Sequence, residues 1–395
     1  MTGIKFRNIL LSIVFIAILS FPIVNDKLNL VQDIASSENR QMATEPNLEL
    51  KLLDPFPSKY EKYYTDHFTI RSVLIKYFNL FKLKLYKKSP IPDQVLIGND
   101  GWLFLVGNEL DSYRGTKRFT NAELESFRLE LEFRKKYLEK RGCKFYFMIA
   151  PVKSNIYPEK IPENIYQINS QSWEEQLNEY LEKTSSINLI NAHGVLMDAK
   201  KNETVYYKLD NHWNKIGAFY VANEILSRMK IDFPSIKTGS IDEYTISKKI
   251  VKGGNIVGML ADTNLFEDDY FTLNPKNGYA AQDVAPFGYA PPKDFPYPID
   301  YENVREIENS KKPRLLIVSD SYGNNLFPFL SENFSRSVKI FDGWQYKLNE
   351  EIVLSEKPDI VLLVALESNV RSILNNQSRL KINLNDVKDQ LIIGK

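Results

Sequence analysis

Cysteine is nearly missing from this chain: its 395 residues include one, Cys143. A single thiol excludes an internal disulfide and leaves no Cys/His cluster for a structural zinc site. Histidine is almost as scarce, with only His67, His193 and His212. Any histidine-dependent chemistry must use one of these three. Net charge is missing too, since 51 Lys and Arg against 50 Asp and Glu leave +1. That balance argues against a nucleic-acid binder. No Gly-rich phosphate loop with a following Lys is present, and no G-x-G-x-x-G follows a strand, so nothing points to nucleotide chemistry. Internal repeats and low-complexity tracts are absent as well.

What is present begins with an apolar run over residues 9–24, broken only by Ser12, Ser20 and Pro22 and preceded by Lys5 and Arg7. This is the pattern of a basic n-region and an apolar h-region. Small residues are not found where a cleavage site needs them; Ile18 and Leu19 stand there instead. The expectation is an uncleaved signal anchor over 1–27, with the basic end in the cytoplasm and the remainder outside. Residues 28–92 read as a helical linker region, with His67 and the pair Asp66 and Arg71 between two helices, and Pro90-Ile91-Pro92 marks its end. One α/β domain is expected over 93–375, followed by a tail over 376–395 in which Leu391-Ile392-Ile393 has weak strand character.

Within that domain strands and helices alternate. Val95 to Leu105 reads as strand, Asn-Asp-Gly turn, strand. Thr120-x-x-Glu123 is a capping box, and Leu124, Phe127, Leu131 and Leu138 share one face of the helix it opens. Residues 143–150, 313–319 and 359–366 are apolar runs of buried-strand type. The alternation predicts a mostly parallel α/β sheet. Residues 232–312 lose both periods and read as a loop-rich insertion. Its segment 277–303 is rich in Pro, Gly and aromatics, and would either stack on sugar rings or cover the core.

The chemistry concentrates in two places. The run ending at Ser319-Asp320-Ser321-Tyr322-Gly323-Asn324-Asn325 turns from strand to helix, which can hold the Ser321 hydroxyl at the mouth of a sheet beside free helix-start N–H groups. Asp320 or Ser321 acting only as a helix cap is the simpler reading. In Asp210-Asn211-His212 the i and i+2 side chains share one side of an extended segment. Asp210 could then orient His212, and His212 could take the Ser321 proton. Open alternatives are a metal held by Asp210 and His212, a helix-capping His212, and Asp320 as the functional carboxylate. The loop Pro151-Val152-Lys153-Ser154-Asn155-Ile156-Tyr157-Pro158 follows a strand at the end where ligands bind in such sheets.

Taken together these segments resemble the SGNH-hydrolase-like polysaccharide O-acetyltransferases of the AlgJ/AlgX and DHHW type. The resemblance runs from about Glu38 to Asn369. Its motifs are Glu38-Asn39-Arg40, Asp66-x-Phe68-x-x-Arg71, Gly98-x-Asp100-Gly101-Trp102-Leu103-Phe104 and Pro151-x-Lys153-x-x-Ile156-Tyr157-Pro158. The most specific are Asp210-x-His212-Trp213 and Ser319-Asp320-Ser321-Tyr322. The chain departs from the family pattern at Ser319 (usually Gly), Tyr322 (often Phe) and Asn211 (His in Asp-His-His-Trp).

The resemblance implies a three-layer α/β/α fold and a triad of Asp210, His212 and Ser321. It also implies an extracytoplasmic site, no cofactor, a polysaccharide acceptor and a membrane-bound O-acyltransferase as acetyl supplier. Tyr322, Asn324, Asn325, Lys153 and Tyr157 are the candidates for oxyanion or substrate contacts. An acetyl esterase using the same three residues, or a glycan-binding protein without activity, are the competing functions.

Overall fold

Unbroken apolar runs need cover on both faces of a sheet. The computed structural model describes residues 3–32, 42–48, 54–260, 266–293 and 295–379. The Glu38-Asn39-Arg40 segment and the tail run Leu391-Ile392-Ile393 lie outside the described residues. Strands in chain order are β1 (Val95–Ile97), β2 (Leu103–Leu105), β3 (Lys144–Ala150), β4 (Asn188–Ile190), β5 (Tyr244–Lys252), β6 (Glu267–Pro275), β7 (Gln282–Val284), β8 (Glu302–Glu306), β9 (Arg314–Ser319), β10 (Arg336–Phe341) and β11 (Ile360–Leu366). The main sheet has the order β4-β3-β11-β9-β10-β8-β7. Strands β4, β3, β11, β9 and β10 run parallel, and β8 and β7 add antiparallel edge pairings.

Successive residues of the central strands serve two separate cores, as a period of two requires. Leu315, Ile317, Leu362 and Val364 pack on one face with helices Ala192–Ala199, Lys215–Asp232 and Gly323–Ser331. Leu316, Val318, Val361 and Leu363 pack on the other with helices Asn121–Glu139, Trp173–Thr184 and Glu350–Glu356. Each such Leu or Ile contributes roughly 1.5–3 kcal/mol relative to exposure. The first helix of the second layer starts at the expected capping box, with Thr120 and Glu123 bonded reciprocally.

The chain divides into two compact units, Met1–Val95 with Gly253–Phe266, and Leu96–Lys252 with Glu267–Lys395. The first holds helix Gly3–Leu28, in which Lys5–Leu28 contains an 18-residue stretch with a mean hydropathy of 2.2 and is long enough to cross a membrane. It also holds helices Pro55–His67 and Arg71–Phe81, and Asn79 there donates to Leu260 O at 2.9 Å. His67 ends its helix with Nδ1 against Tyr63 O at 2.9 Å, a local structural contact.

Residues 232–312 are more regular than a loop-rich insertion. Strands β5 and β6 pair antiparallel over nine positions, and β7 and β8 extend the main sheet. Their periodicity is faint for a physical reason. β5 is mostly solvent-exposed and carries Lys248, Lys249 and Lys252, and β7 lies at a polar sheet edge. In the aromatic segment Tyr289 and Tyr301 are buried, and Phe295 packs edge-on against Phe341, while Phe287 and Tyr297 are exposed.

Candidate active site

β9 delivers Ser319 at its carboxyl end, and the chain then turns into helix Gly323–Ser331. The turn is too tight for a side chain at 323: a Cβ there would sit 2.1 Å from Ser319 Oγ and 2.7 Å from Ser319 Cβ. Asp320 is fully buried beneath it. Its carboxylate accepts from Tyr322 N–H at 2.8 Å, Leu366 N–H at 2.7 Å and Tyr346 O–H at 2.6 Å. Burial pushes the Asp320 carboxyl up, and these three donors act against that rise. Asp320 thus fixes the turn and has no oxygen free for another task. Tyr346 itself sits at φ 49° in a loop with Trp344 at φ 61° and Gly343 at φ 70°. The loop is held there by Asp342, which accepts from Gln345 and Lys347 N–H, and by Arg134, which donates to Tyr346 O. Left-handed residues cost energy, so several contacts secure this support for Asp320.

The second half of the site is a short hairpin. Tyr206 and Trp213 are bridge partners, and Asn214 caps helix Lys215–Asp232 by accepting from Ile216 and Gly217 N–H, both at 3.0 Å. Between them Asp210 Oδ1 accepts from His212 N–H at 3.0 Å and from His212 Nδ1–H at 2.6 Å. That leaves Nε2 as an acceptor, and Ser321 O–H donates to it at 2.7 Å. The Asp210 and His212 side chains are 25% and 22% exposed, so the relay opens to solvent. Three bonds join the hairpin to the serine turn: Trp213 Nε1–H to Tyr322 O at 3.2 Å, Tyr322 O–H to Asn211 O at 2.6 Å, and Asn325 Nδ2–H to Trp213 O at 3.1 Å.

Those bonds reassign several candidates. Tyr322 is wholly buried, with its N–H and O–H both committed, so it is a brace and not an oxyanion donor. Asn325 gives one N–H of its amide to Trp213 O. Lys153 is wholly buried, and its Nζ donates to Tyr207 O at 3.3 Å, Lys208 O at 3.1 Å and Asp210 O at 2.7 Å. An ammonium has three N–H donors, so none remains for a substrate. Tyr157 is buried against Trp102, with its hydroxyl accepting from Val205 N–H at 3.0 Å. Asn324 is exposed at the helix start, its side-chain oxygen bonded to Lys339 Nζ. Ser321 N–H has no acceptor among the described residues.

Behind the relay lies a buried polar layer of which only Lys153 belongs to a motif read from the sequence. Burial pushes Lys153 down to about 7 and Glu109 up to about 7, with Lys153 beside Glu109 opposing the second shift. Glu109 also bonds the Asn211 side chain. Glu367, after β11, accepts from Val152 N–H, Glu174 N–H and the Asn155 amide at 2.9–3.0 Å. Burial pushes Lys339 down to about 8. Apart from Lys153, the only hint these groups give in the sequence is a charged residue next to an apolar run. Among the described residues, no group of three His, Cys, Asp or Glu is placed to hold a metal ion.

A parallel core between helical layers, with a serine turn after a central strand, is the arrangement of an SGNH-hydrolase-like domain. The model for the SGNH hydrolase-like domain of acetyltransferase AlgX matches residues 95–341, and the chain belongs to that family. It is 26% identical over 184 residues to a probable alginate O-acetylase AlgJ of Pseudomonas aeruginosa, covering 46% of this chain and 44% of that one. The chain thus spans less than half the length of the curated relatives it matches. It is similar in structure to PatB1 of Bacillus cereus, at 21% identity and TM-score 0.53, over 70% of this chain and 97% of that one. A DHHW family protein of Eubacterium siraeum aligns at 16% identity and TM-score 0.50, over 72% and 98%. At these identities the structural likeness is one of fold.

Proposed function

We propose that this chain is an O-acetyltransferase that carries acetyl on Ser321 and passes it to hydroxyls of an envelope or secreted polysaccharide. The observation that carries the reading is the continuous relay from Asp210 through His212 to Ser321, with contacts of 2.6 and 2.7 Å. Ser321 Oγ attacks the acetyl carbonyl as His212 Nε2 takes its proton, and Asp210 stabilises the imidazolium. The oxyanion meets Ser321 N–H at the start of helix Gly323–Ser331, where the helix dipole favours negative charge. His212 gives its proton to the leaving group. A sugar hydroxyl then loses its proton to His212 and attacks the acetyl-enzyme, which regenerates Ser321.

Similarity to proteins named alginate O-acetylase supports transfer to a polysaccharide over simple hydrolysis. Helix Lys5–Leu28, with Lys5 and Arg7 at its start, supports anchoring in a membrane with the catalytic unit outside the cytoplasm. A membrane-bound O-acyltransferase partner would supply the acetyl group there.

The test is a ping-pong assay on the full chain in detergent, with 4-nitrophenyl acetate as donor and oligosaccharides as acceptors. Acetylated sugar is expected from the wild type. Ser321→Ala and His212→Ala should lose at least about a thousandfold in rate with unchanged unfolding midpoints. Acetate release with unmodified sugar would make the chain an esterase, and no turnover at all would leave a glycan-binding role.

A further inference from the structure

The hairpin that carries Asp210 and His212 has two sides. Tyr206 and Trp213, the bridge pair, point into the core and are fully buried. Tyr207 and His212 form the next pair, with Tyr207 N–H donating to His212 O at 3.2 Å. Directly opposed residues leave a hairpin on the same side, so Tyr207 stands on the side of the catalytic imidazole. Its ring lies flat against Tyr270 of β6, with centroids 5.4 Å apart and planes at 15°, and the two side chains are also hydrogen-bonded. Tyr207 is 8% exposed and Tyr270 is 39% exposed.

This aromatic pair is held firmly. Asp268 Oδ2 accepts from Leu209 N–H at 2.7 Å and ties β6 to the hairpin. Lys153 grips the carbonyls on either side from within. One ring face of Tyr270 is used by Tyr207, and the residue still exposes 39% of its surface. An isolated exposed tyrosine on a strand needs no explanation. Here, an exposed ring is locked in orientation by buried groups of the same hairpin that positions His212. Such a surface suits a pyranose, whose C–H face is apolar and electropositive, against the electron-rich face of an aromatic ring. An ordered ring also lowers the entropy cost of binding.

We infer that Tyr270, backed by Tyr207, is an acceptor subsite that stacks on a pyranose ring of the polysaccharide next to the residue being acetylated. The inference rests on the transferase reading, and its test separates the two. In the full chain, the nitrophenol burst from 4-nitrophenyl acetate reports acetyl-enzyme formation. Acceleration of acetyl-enzyme breakdown by pentamers of N-acetylglucosamine, glucose or mannuronate reports acceptor use. Tyr270→Ala should raise the acceptor KM about fivefold to tenfold, the scale of one aromatic contact, with far less change in the burst. Tyr270→Phe should restore the KM, and both variants should remain cooperatively folded in thermal melts, with Tyr270→Ala lowered by no more than the loss of one aromatic pair. An unchanged acceptor KM in Tyr270→Ala overturns the subsite. So does an intact burst that none of the three pentamers accelerates, or a KM and burst that fall together. A wild-type chain without a burst overturns the transferase reading itself.

Discussion

Lys153 gives all three of its N–H donors to backbone carbonyls of residues 207, 208 and 210. It therefore sets the position of Asp210 without touching a reacting atom. Lys153→Met should lower stability by about 2–4 kcal/mol, because the carbonyls lose their buried donor. The urea midpoint should fall and the acetyl-enzyme burst should slow together. Lys153→Arg should not rescue either, since a planar fork does not match three carbonyls converging on one nitrogen. Glu174 provides a pH test. It is 1% exposed, and burial pushes its carboxyl up from 4.5 to about 7, with His193 opposing and Glu367 adding to the rise. The folded chain then holds a proton that the unfolded chain has lost between those values. Stability from this group is full below the unfolded value and is lost as pH rises through about 7. From about pH 5 to about pH 8 the wild type should lose up to roughly 3 kcal/mol relative to Glu174→Gln, read from urea midpoints. Asp210, His212 and Ser321 were legible in the sequence because their chemistry is local, an i, i+2 pair and a polar turn after an apolar run. Lys153 was legible only as a candidate substrate contact, not as a brace, and Glu109 and Tyr346 were not legible at all, because their partners lie far along the chain and only the fold brings them together.

At the scale of elements, the serine turn depends on a close approach between β9 and the next helix. Gly323→Ala would drive a Cβ into Ser319. The expected cost is about 1–3 kcal/mol, with a displaced Ser321 and a weaker burst. Ser319→Gly removes both atoms that the new Cβ would meet, so the double variant should recover most of the loss. A double-mutant cycle on unfolding midpoints measures this coupling. β3, β9 and β11 were legible as apolar runs because both of their faces are buried. β5, β7 and β8 escaped notice because they lie in a solvated hairpin or at the polar edge of the sheet. There the backbone pairing that makes a strand leaves little trace in side-chain pattern.

At the scale of the whole molecule, an apolar helix and an SGNH-hydrolase-like domain share one chain. The full chain should sediment with membranes and resist carbonate extraction, whereas residues 29–395 should remain in the soluble fraction. Extraction of the full chain by carbonate would argue against a spanning helix. The mostly parallel sheet was legible from alternating strand and helix signals and the three-layer form from the family resemblance, and the family match over residues 95–341 agrees with both. What was not legible is that Gly253–Phe266 joins the N-terminal unit from within the later sequence. The central claim is that Ser321 carries the acetyl group. Its most direct test is tandem mass spectrometry of the full chain quenched in acid after brief exposure to an acetyl ester. One acetyl group is expected on the peptide containing Ser321, absent in Ser321→Ala and His212→Ala and discharged by an oligosaccharide acceptor. Acetyl found only on other residues, or none during measured turnover, would contradict it.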